Sequence, residues 1–372
     1  MSGKRDNMKD GKTIAVIGQG NIGSQLLGHI GRMPMIRRVI CVDPDVYTPG
    51  NLESQSITAT DVGLAKAQAA ARRLRDIRPG LEVTAIVDRV ENVPWGALRA
   101  DVICGCVDSK ATRASINRIA RRLGQAYVDA GIRADGLMAR VDVYAPSPEG
   151  ACIECAWGEK DYESLGQSHS CAGEIREAPS SKPGSALGGL AASIQAIECG
   201  KLLESGGQRS PASRQIVIEA VCGHLYVNIP RRNPACRFDH REWPIRQAAA
   251  TTLGELAAAG AAMIEETPAA LAVEARSWVT RLACRGCGQQ SPVLRLDGRI
   301  SRRLRQCRLC GAERQPVGFH MLPRLDLATA RPAWLKQPLT RLGLRAGDVV
   351  RLSGAHREQC VELAVNPTEM RG

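Results

Sequence analysis

Thr13-Ile14-Ala15-Val16-Ile17-Gly18-Gln19-Gly20-Asn21-Ile22-Gly23 decides how the first half of this chain is read. Thr13 to Ile17 is a short apolar run with strand character, and a helical stretch follows from Ile22 to about Arg32. The pattern between them is G-x-G-x-x-G. Its glycines allow a tight turn and close backbone approach, while the start of the helix offers unpaired N–H groups and a positive dipole end to phosphate. Asp43 ends the next strand, where an acid can hold a ribose hydroxyl. Gly18, Gly20, Gly23 and Asp43 are therefore candidate nucleotide-binding residues. Taken alone, such a loop suits a nicotinamide-dependent dehydrogenase as readily as an ATP enzyme.

Outward from this loop, strand and helix signals alternate. Val39 to Val42 reads as a strand, and Leu64 to Ile77 as a helix closed by Arg78-Pro79-Gly80. Leu81 to Val87 and Asp101 to Cys106 read as strands, and Lys110 to Leu123 as a helix. This order predicts an α/β fold with a Rossmann-like, doubly wound parallel sheet. After Gly150 the pattern breaks. Glu159 to Gly184 is polar and rich in Ser and Gly, and reads as a long mobile loop before an apolar helix over Leu187 to Leu203. Trp243 to about Pro268 reads as a helical connection, and from Val273 the chain turns arginine-rich and β-like. The expected division is a flexible N-terminus over 1–11, an α/β domain over 12–245, a helical linker over 246–270 and a small, mainly β domain over 271–372.

At 372 residues the chain is long enough for two domains. Apolar residues make up 44% and charged residues 24%, which excludes wholesale disorder. No run approaches the roughly 18–20 apolar residues of a membrane span. Met1 to Lys12 is polar and lacks the apolar centre of a secretion signal, so the cytoplasm is the expected compartment. The net charge of +12 is uneven: from Leu271 to Gly372 there are 17 Arg and 1 Lys against 8 acids, so ten of the twelve charges lie there. A basic segment attracts nucleic acid or an acidic protein partner. High-GC codon usage would also make the chain arginine-rich.

The residues after Asp43 separate the possible uses of the loop. Asp43-Pro44-Asp45 leads into Asn51-Leu52-Glu53-Ser54-Gln55, then Gly63-Leu64-Ala65-Lys66, and later Asp108-Ser109 with Thr112-Arg113. Here the chain resembles the ThiF/MoeB/E1 superfamily, whose motifs D-x-D, N-L-x-R-Q, G-x-x-K, and D-N or D-S followed by T-R occur in this order. The resemblance runs over about 12–245. It implies an enzyme that uses MgATP to adenylate the C-terminal glycine of a small β-grasp protein, either ubiquitin-like or a sulfur carrier. It also implies a homodimer, and an E2-like conjugating protein as a possible partner. Carboxylate attack on the α-phosphate of ATP requires negative charge to be neutralised at several oxygens. Lys66 would meet phosphate as a point charge, and Asp108 would hold Mg²⁺. Asp45, Asn51, Gln55 and Arg113 complete the implied nucleotide set. Lys66 as a solvated helix residue and Asp108 as a helix cap are the plainer alternatives. One departure stands out: the arginine of N-L-x-R-Q is Ser54, and only Arg5 lies near the place of the arginine that related homodimers lend across their interface. Loss of a bidentate phosphate donor is not conservative.

Three C-x-x-C pairs point to metal before disulfides in a cytosolic chain. Cys284-x₂-Cys287 and Cys307-x₂-Cys310, each followed by glycine (Gly288, Gly311), form a zinc-ribbon signature, with a rubredoxin-like iron site as a minor alternative. Cys152 and Cys155 match family members in which such a pair is half of a structural Zn²⁺ site. Cys236 and His240 are the candidate other half. In the minimal E1 branch that activates the ubiquitin-fold modifier, a nucleophilic cysteine occupies the loop that holds Cys171 here. His169 nearby would favour its thiolate. The other cysteines, including Cys41, Cys104, Cys106 and Cys199, read as core residues.

The leading expectation is thus an E1-like activating enzyme using ATP, Mg²⁺ and Zn²⁺, with Cys171, Lys66 and Asp108 as catalytic candidates. A catalytically weakened scaffold for a ubiquitin-like partner and an NAD-dependent oxidoreductase are the alternatives. Because the basic charge belongs to the ribbon-bearing tail, an acidic carrier or conjugating partner is favoured over nucleic acid.

Overall fold

The first unit is organised by a run of apolar residues buried on both faces, as a central parallel strand requires. A computed structural model describes residues 11–147, 149–167, 184–204 and 213–364. Strands β1 (Lys12–Ile17), β2 (Ile36–Val42), β3 (Glu82–Ile86), β4 (Val102–Gly105) and β5 (Ala126–Arg133) are all parallel. Three antiparallel strands, β6 (Met138–Tyr144), β7 (Ser213–Glu219) and β8 (His224–Asn228), extend the sheet. Its order is β3-β2-β1-β4-β5-β6-β7-β8. The strand order reverses at β1, which pairs with β2 on one side and β4 on the other. In open α/β sheets the crevice at this point, beyond the carboxyl ends of the strands, is where ligands bind.

Helices α1 (Asn21–Ile30), α2 (Lys66–Ile77), α3 (Lys110–Arg122), α4 (Glu159–Gln167) and α5 (Ser185–Glu204) complete this unit. One core joins Leu26, Leu27 and Ile30 of α1, Leu74 of α2 and Ala191 and Cys199 of α5 to Ile14, Val16, Cys104 and Val128 of the strands. α3 packs against β4 and β5, burying Ile116 and Ile119. Alternate strand residues, such as Ile103 and Tyr127, are buried too.

The α/β class is as the sequence indicates, with two local corrections. The stretch expected to be loop from Glu159 opens as helix α4. Glu159 and Asp161 sit in its first turn, where acids favour the positive helix end, and Asp161 accepts the Gly158 N–H (2.8 Å). Trp157 and Tyr162 meet edge-on, 5.6 Å between ring centroids, an apolar contact with no visible periodicity. Residues 168–183, with His169 and Cys171, lie outside the described residues, as does Arg5.

The second correction concerns the linker. The first unit's described residues run to Val93 and from Leu98 to Glu242, while Pro94–Ala97 and the residues from Trp243 on form the second unit. The segment 246–270 is part of that second unit. Strand β9 (Ile245–Ala248) pairs in parallel with the last strand, and α6 (Leu253–Ile264) turns Leu253, Leu256, Gly260 and Ile264 inward. That spacing is one helix face. Strands β10 (Ala270–Ala272), β11 (Trp278–Cys284), β12 (Gln290–Leu296), β13 (Arg314–Pro316), β14 (Met321–Leu322), β15 (Arg324–Asp326), β16 (Val349–Ser353) and β17 (Glu358–Leu363) follow. They make a five-stranded sheet, β15-β10-β16-β17-β9, and a four-stranded one in which β11 pairs with β12, β13 and β14. Fully buried Trp278 sits in a core with Leu253, Leu256, Val350 and Leu352. Gly260 is required by close packing, since a Cβ there would lie 2.5 Å from Leu352 Cδ1.

The glycine loop after β1 is constrained on two sides. Gly18 has φ +89°, and a Cβ on it would meet the Cys106 carbonyl oxygen at 2.5 Å; one on Gly23 would lie 1.9 Å from the Gly18 carbonyl oxygen. Gly23→Ala is therefore expected to lower the unfolding free energy by about 1–3 kcal/mol, read as a fall in the urea midpoint. An unchanged midpoint would show that the loop has room to spare.

Candidate nucleotide and metal sites

Three strand ends supply the candidate nucleotide residues. After β1, Gly20 occupies the N-cap position of α1 with no side-chain cap, and the first helical turn carries no acid. Nothing lies within 4 Å of a Cβ built on Gly20, so this glycine borders open space where Gly18 and Gly23 are packed. A ten-residue helix with an uncapped N-terminus facing the switch-point crevice is suited to an anion.

After β2, Asp43 is buried and ties the loop together. Its Oδ2 accepts the Gln19 N–H at 2.6 Å, and its Oδ1 accepts the Asp45 N–H at 2.8 Å. Burial pushes the carboxyl up from its ordinary value, against these two N–H groups, which favour the charged form. Gln19 is itself buried and donates through Nε2 to the Val16 carbonyl at 2.9 Å, and Tyr47 Oη donates to the Gln19 carbonyl at 2.9 Å. Lys66 opens α2 and is largely buried. Its Nζ lies 3.2 Å from exposed Asp45 Oδ2 and 5.8 Å from the centroid of Tyr47. A largely buried lysine beside one carboxylate at the mouth of a crevice is no solvated helix residue.

Asn51 and Gln55 part company. Asn51 Oδ1 accepts from the Thr48 N–H (2.8 Å) and hydroxyl (3.2 Å), closing the short helical turn Pro49–Glu53. Gln55 Oε1 is buried with no hydrogen-bond partner among the described residues, an acceptor of the kind a bound ligand would satisfy. Ser54 ends the turn, its N–H donating to the Asn51 carbonyl.

After β4, Asp108 is exposed. The helix cap belongs to its neighbour, since Ser109 Oγ accepts the Thr112 N–H, leaving the Asp108 carboxylate outside the cap. Arg113 faces inward. It donates twice to the Val107 carbonyl (Nε 3.0 Å, Nη2 2.7 Å), once to the Ala130 carbonyl (3.2 Å), and pairs with Asp129 Oδ2 at 3.1 Å. Arg113 thus grips the residue before Asp108.

Asp129 is a residue that motif reading passes over. It is fully buried on β5, accepts from Tyr127 Oη (2.7 Å) and meets Arg140 (3.0 Å) as well as Arg113. Arg140 also pairs with buried Asp142 (3.0 Å), which accepts from Gln215 Nε2 at 2.7 Å. Gln195, buried on α5, donates to the carbonyls of Gly105 (3.2 Å) and Val128 (2.9 Å), holding the ends of β4 and β5. The available signal was an acid inside each of two otherwise apolar runs, Tyr127-Val128-Asp129-Ala130 and Val141-Asp142-Val143.

Two sulfur-rich clusters are brought together. Cys152, Cys155, Cys236 and His240 have ligand atoms all within 4.8 Å. Cys152 Sγ lies 3.9 Å from Cys236 Sγ and 3.9 Å from Cys155 Sγ; His240 Nε2 is 3.6 Å and 3.4 Å from the sulfurs of Cys152 and Cys155. Tetrahedral Zn²⁺ bonds imply edges of about 3.8 Å between sulfurs and about 3.6 Å from sulfur to nitrogen. The spacings fit. His240 Nδ1 lies 3.1 Å from the Gly150 carbonyl, which fixes the ring as an outer-shell partner does. The hydrogen bond from Cys152 brings the Cys155 thiol down to about 4. In the second cluster Cys284 and Cys310 sulfurs are 3.4 Å apart and those of Cys287 and Cys307 3.8 Å. Gly288 (φ +71°) and Gly311 (φ +73°) close the two knuckles, and Gly286 N–H donates to Cys284 Sγ at 3.3 Å. Backbone N–H groups, that of Cys310 foremost, lower the Cys307 thiol to about 6. Both clusters could hold a metal. Cys41, Cys104 and Cys199 are buried in the core, while Cys106 is partly exposed, its Sγ donating to Gln195 Oε1.

Comparison with known proteins places the chain in a family. The ThiF family matches residues 4–238, and the chain belongs to it. Chicken (Gallus gallus) ubiquitin-like modifier-activating enzyme 5 is 28% identical, over 39% of this chain and 39% of its own length. The sulfur carrier protein ThiS adenylyltransferase of Escherichia coli is 29% identical, over 39% of this chain and 57% of its own. The chain therefore spans about two to three fifths of the relatives it matches. A crystal structure of E. coli MccB with succinimide shares the fold, with TM-score 0.50 and 21% identity over 61% of this chain and 66% of that one. Among the described residues no helix is long and apolar enough to cross a membrane.

The charged relay behind the site carries a pH signature. Burial pushes the Asp142 carboxyl up to about 6, with Arg140 opposing. A raised carboxyl holds its proton more tightly folded than unfolded, so its stability contribution is present below about pH 4 and lost as pH rises through about 6. Relative to wild type, Asp142→Asn is expected to gain about 1–3 kcal/mol of stability between about pH 4 and pH 7. Denaturant unfolding at both pH values checks this; a difference independent of pH would mean the carboxyl titrates normally.

Proposed function

We propose that the chain is an E1-like activating enzyme that adenylates the C-terminal glycine of a small β-grasp protein, ubiquitin-like or a sulfur carrier, using MgATP. The observation that carries this reading is that an uncapped helix N-terminus, a buried lysine and an exposed aspartate follow the three neighbouring parallel strands β1, β2 and β4. The carboxylate oxygen of the glycine attacks the α-phosphorus, a new P–O bond forms, the bond to the β-phosphate oxygen breaks, and pyrophosphate leaves with the electron pair. The N–H groups at the start of α1 hold phosphate oxygens, with Gly20 letting the backbone approach them. Lys66 exchanges its contact with Asp45 for phosphate. Asp108 is the carboxylate for Mg²⁺, whose chemistry is to neutralise phosphate charge. Gln55 supplies its unpartnered acceptor to the nucleotide. Asp43 shapes the loop through Gln19 and leaves its remaining lone pairs for a ribose hydroxyl, and Asn51 and Arg113 act by holding the walls. Zn²⁺ in the two cysteine clusters is structural.

The acyl group then passes to a thiol, that of Cys171 or of an E2-like partner, with loss of AMP. The enzyme works as a homodimer in the cytoplasm. A second reading, a scaffold that holds its ubiquitin-like partner without activating it, draws on Ser54 and on the inward commitment of Arg113. Calorimetry with ATP separates the two, since a scaffold of this kind binds none.

ATP–pyrophosphate exchange that depends on a small Gly-terminated β-grasp protein is the expected activity. Asp108→Ala should reduce it at least about 100-fold, the scale on which loss of one electrostatic group acts; normal exchange by this variant would remove the magnesium assignment. A thioester seen as a gel shift should disappear in Cys171→Ala while exchange persists. Its survival would move the thiol to another residue or to a partner.

A further inference from the structure

A third set of ligand-type side chains, sharing no residue with the two sulfur-rich clusters, meets at the turn between β7 and β8. Glu219 ends β7, Cys222 lies in the turn and His224 opens β8. Their ligand atoms lie within 4.8 Å of one another. Glu219 and His224 are directly opposite in the antiparallel register, so their side chains leave the hairpin on the same face. Gly223, at φ +73°, closes the turn. His224 Nδ1 is 3.8 Å from Glu219 Oε2 and 3.1 Å from Tyr226 Oη.

An imidazole–carboxylate pair accounts for two of these groups. It gives no reason for a thiol to join them. Thiolate, imidazole and carboxylate together form a donor set that Zn²⁺ accepts, and three protein ligands with a fourth position left to water is the arrangement of an open site. Tetrahedral edges for this set are about 3.4–3.6 Å, so the ligands, all within 4.8 Å of one another, need to close by at most about 1.4 Å. Cys222 and His224 are exposed and Glu219 is only half-buried, so rotamer changes can make that adjustment. We propose that the β7–β8 turn is a solvent-facing Zn²⁺ site ligated by Glu219, Cys222 and His224, with water as fourth ligand. A metal there pins the outermost strand β8, whose Leu225 and Val227 are exposed, to β7.

The test uses the full chain, purified with a phosphine reductant, saturated with Zn²⁺ and freed of excess metal. Wild type is expected to retain one zinc equivalent more than Cys222→Ser or His224→Ala, and to surrender it to a chromophoric chelator before the rest. In the Co²⁺ form, wild type should show more thiolate charge-transfer absorbance than Cys222→Ser, by the share of one thiolate. The readout is a difference between proteins, so it stands whatever the other clusters load. These residues are largely exposed, and unchanged far-UV circular dichroism verifies folding of the variants. Equal metal content and equal Co²⁺ spectra in wild type and both variants would overturn the site.

Discussion

The parallel pairing of β1 with β2 on one side and β4 on the other is the constraint on which the rest of the first unit depends. It sends the chain away from β1 in two directions and leaves a gap beyond the strand ends. The same pairing presses the end of β4 against the glycine loop: the Cys106 N–H donates to the Ile17 carbonyl at 2.8 Å, and the Gly18 N–H donates to the Val42 carbonyl at 2.8 Å. Gly18 and Gly23 are packed closely, while Gly20 borders open space. Geometry there is set by the sheet together with the loop's own glycines.

Charge inside the sheet serves the same end. A buried carboxylate is costly unless it is paired and hydrogen-bonded. Asp129 meets that condition through Arg113, Arg140 and Tyr127, and in doing so fixes the carbonyl of Val107. The exposed Asp108 follows directly in the chain. A rigid, costly element behind the site and a solvated one in front is a division of labour common to preorganised centres.

The strand–helix alternation made the α/β unit legible, because apolar runs bounded by turn residues have few other solutions. Position along the chain was legible as well: Lys66 and Asp108 stand at strand or helix ends, where a motif places them. Direction was not. Nothing in Thr112-Arg113 says that the guanidinium turns to Val107 and Asp129, and nothing in Asn51 says that it closes a turn with Thr48. Helix α6 was legible as a helix but its packing face was not, because alanine-rich sequence carries a faint apolar stripe; Leu253, Leu256, Gly260 and Ile264 mark it only once a partner surface is known. The hairpin cluster at Glu219 escaped notice because its cysteine stands alone, without the C-x-x-C spacing that draws attention to the others.

The cluster of Cys152, Cys155, Cys236 and His240 has a consequence beyond its own pocket. Its first and third ligands are 84 positions apart, and the interval between them holds α4, α5, β7 and β8. A metal seated there is a cross-link that closes this interval into a ring. By analogy with a disulfide, ring closure of this size removes about 4.5 kcal/mol worth of freedom from the unfolded chain. Its benefit is therefore spread over the antiparallel half of the sheet. Without metal, the outer strands and the long helix α5 would keep their pairing and packing but lose this cross-link.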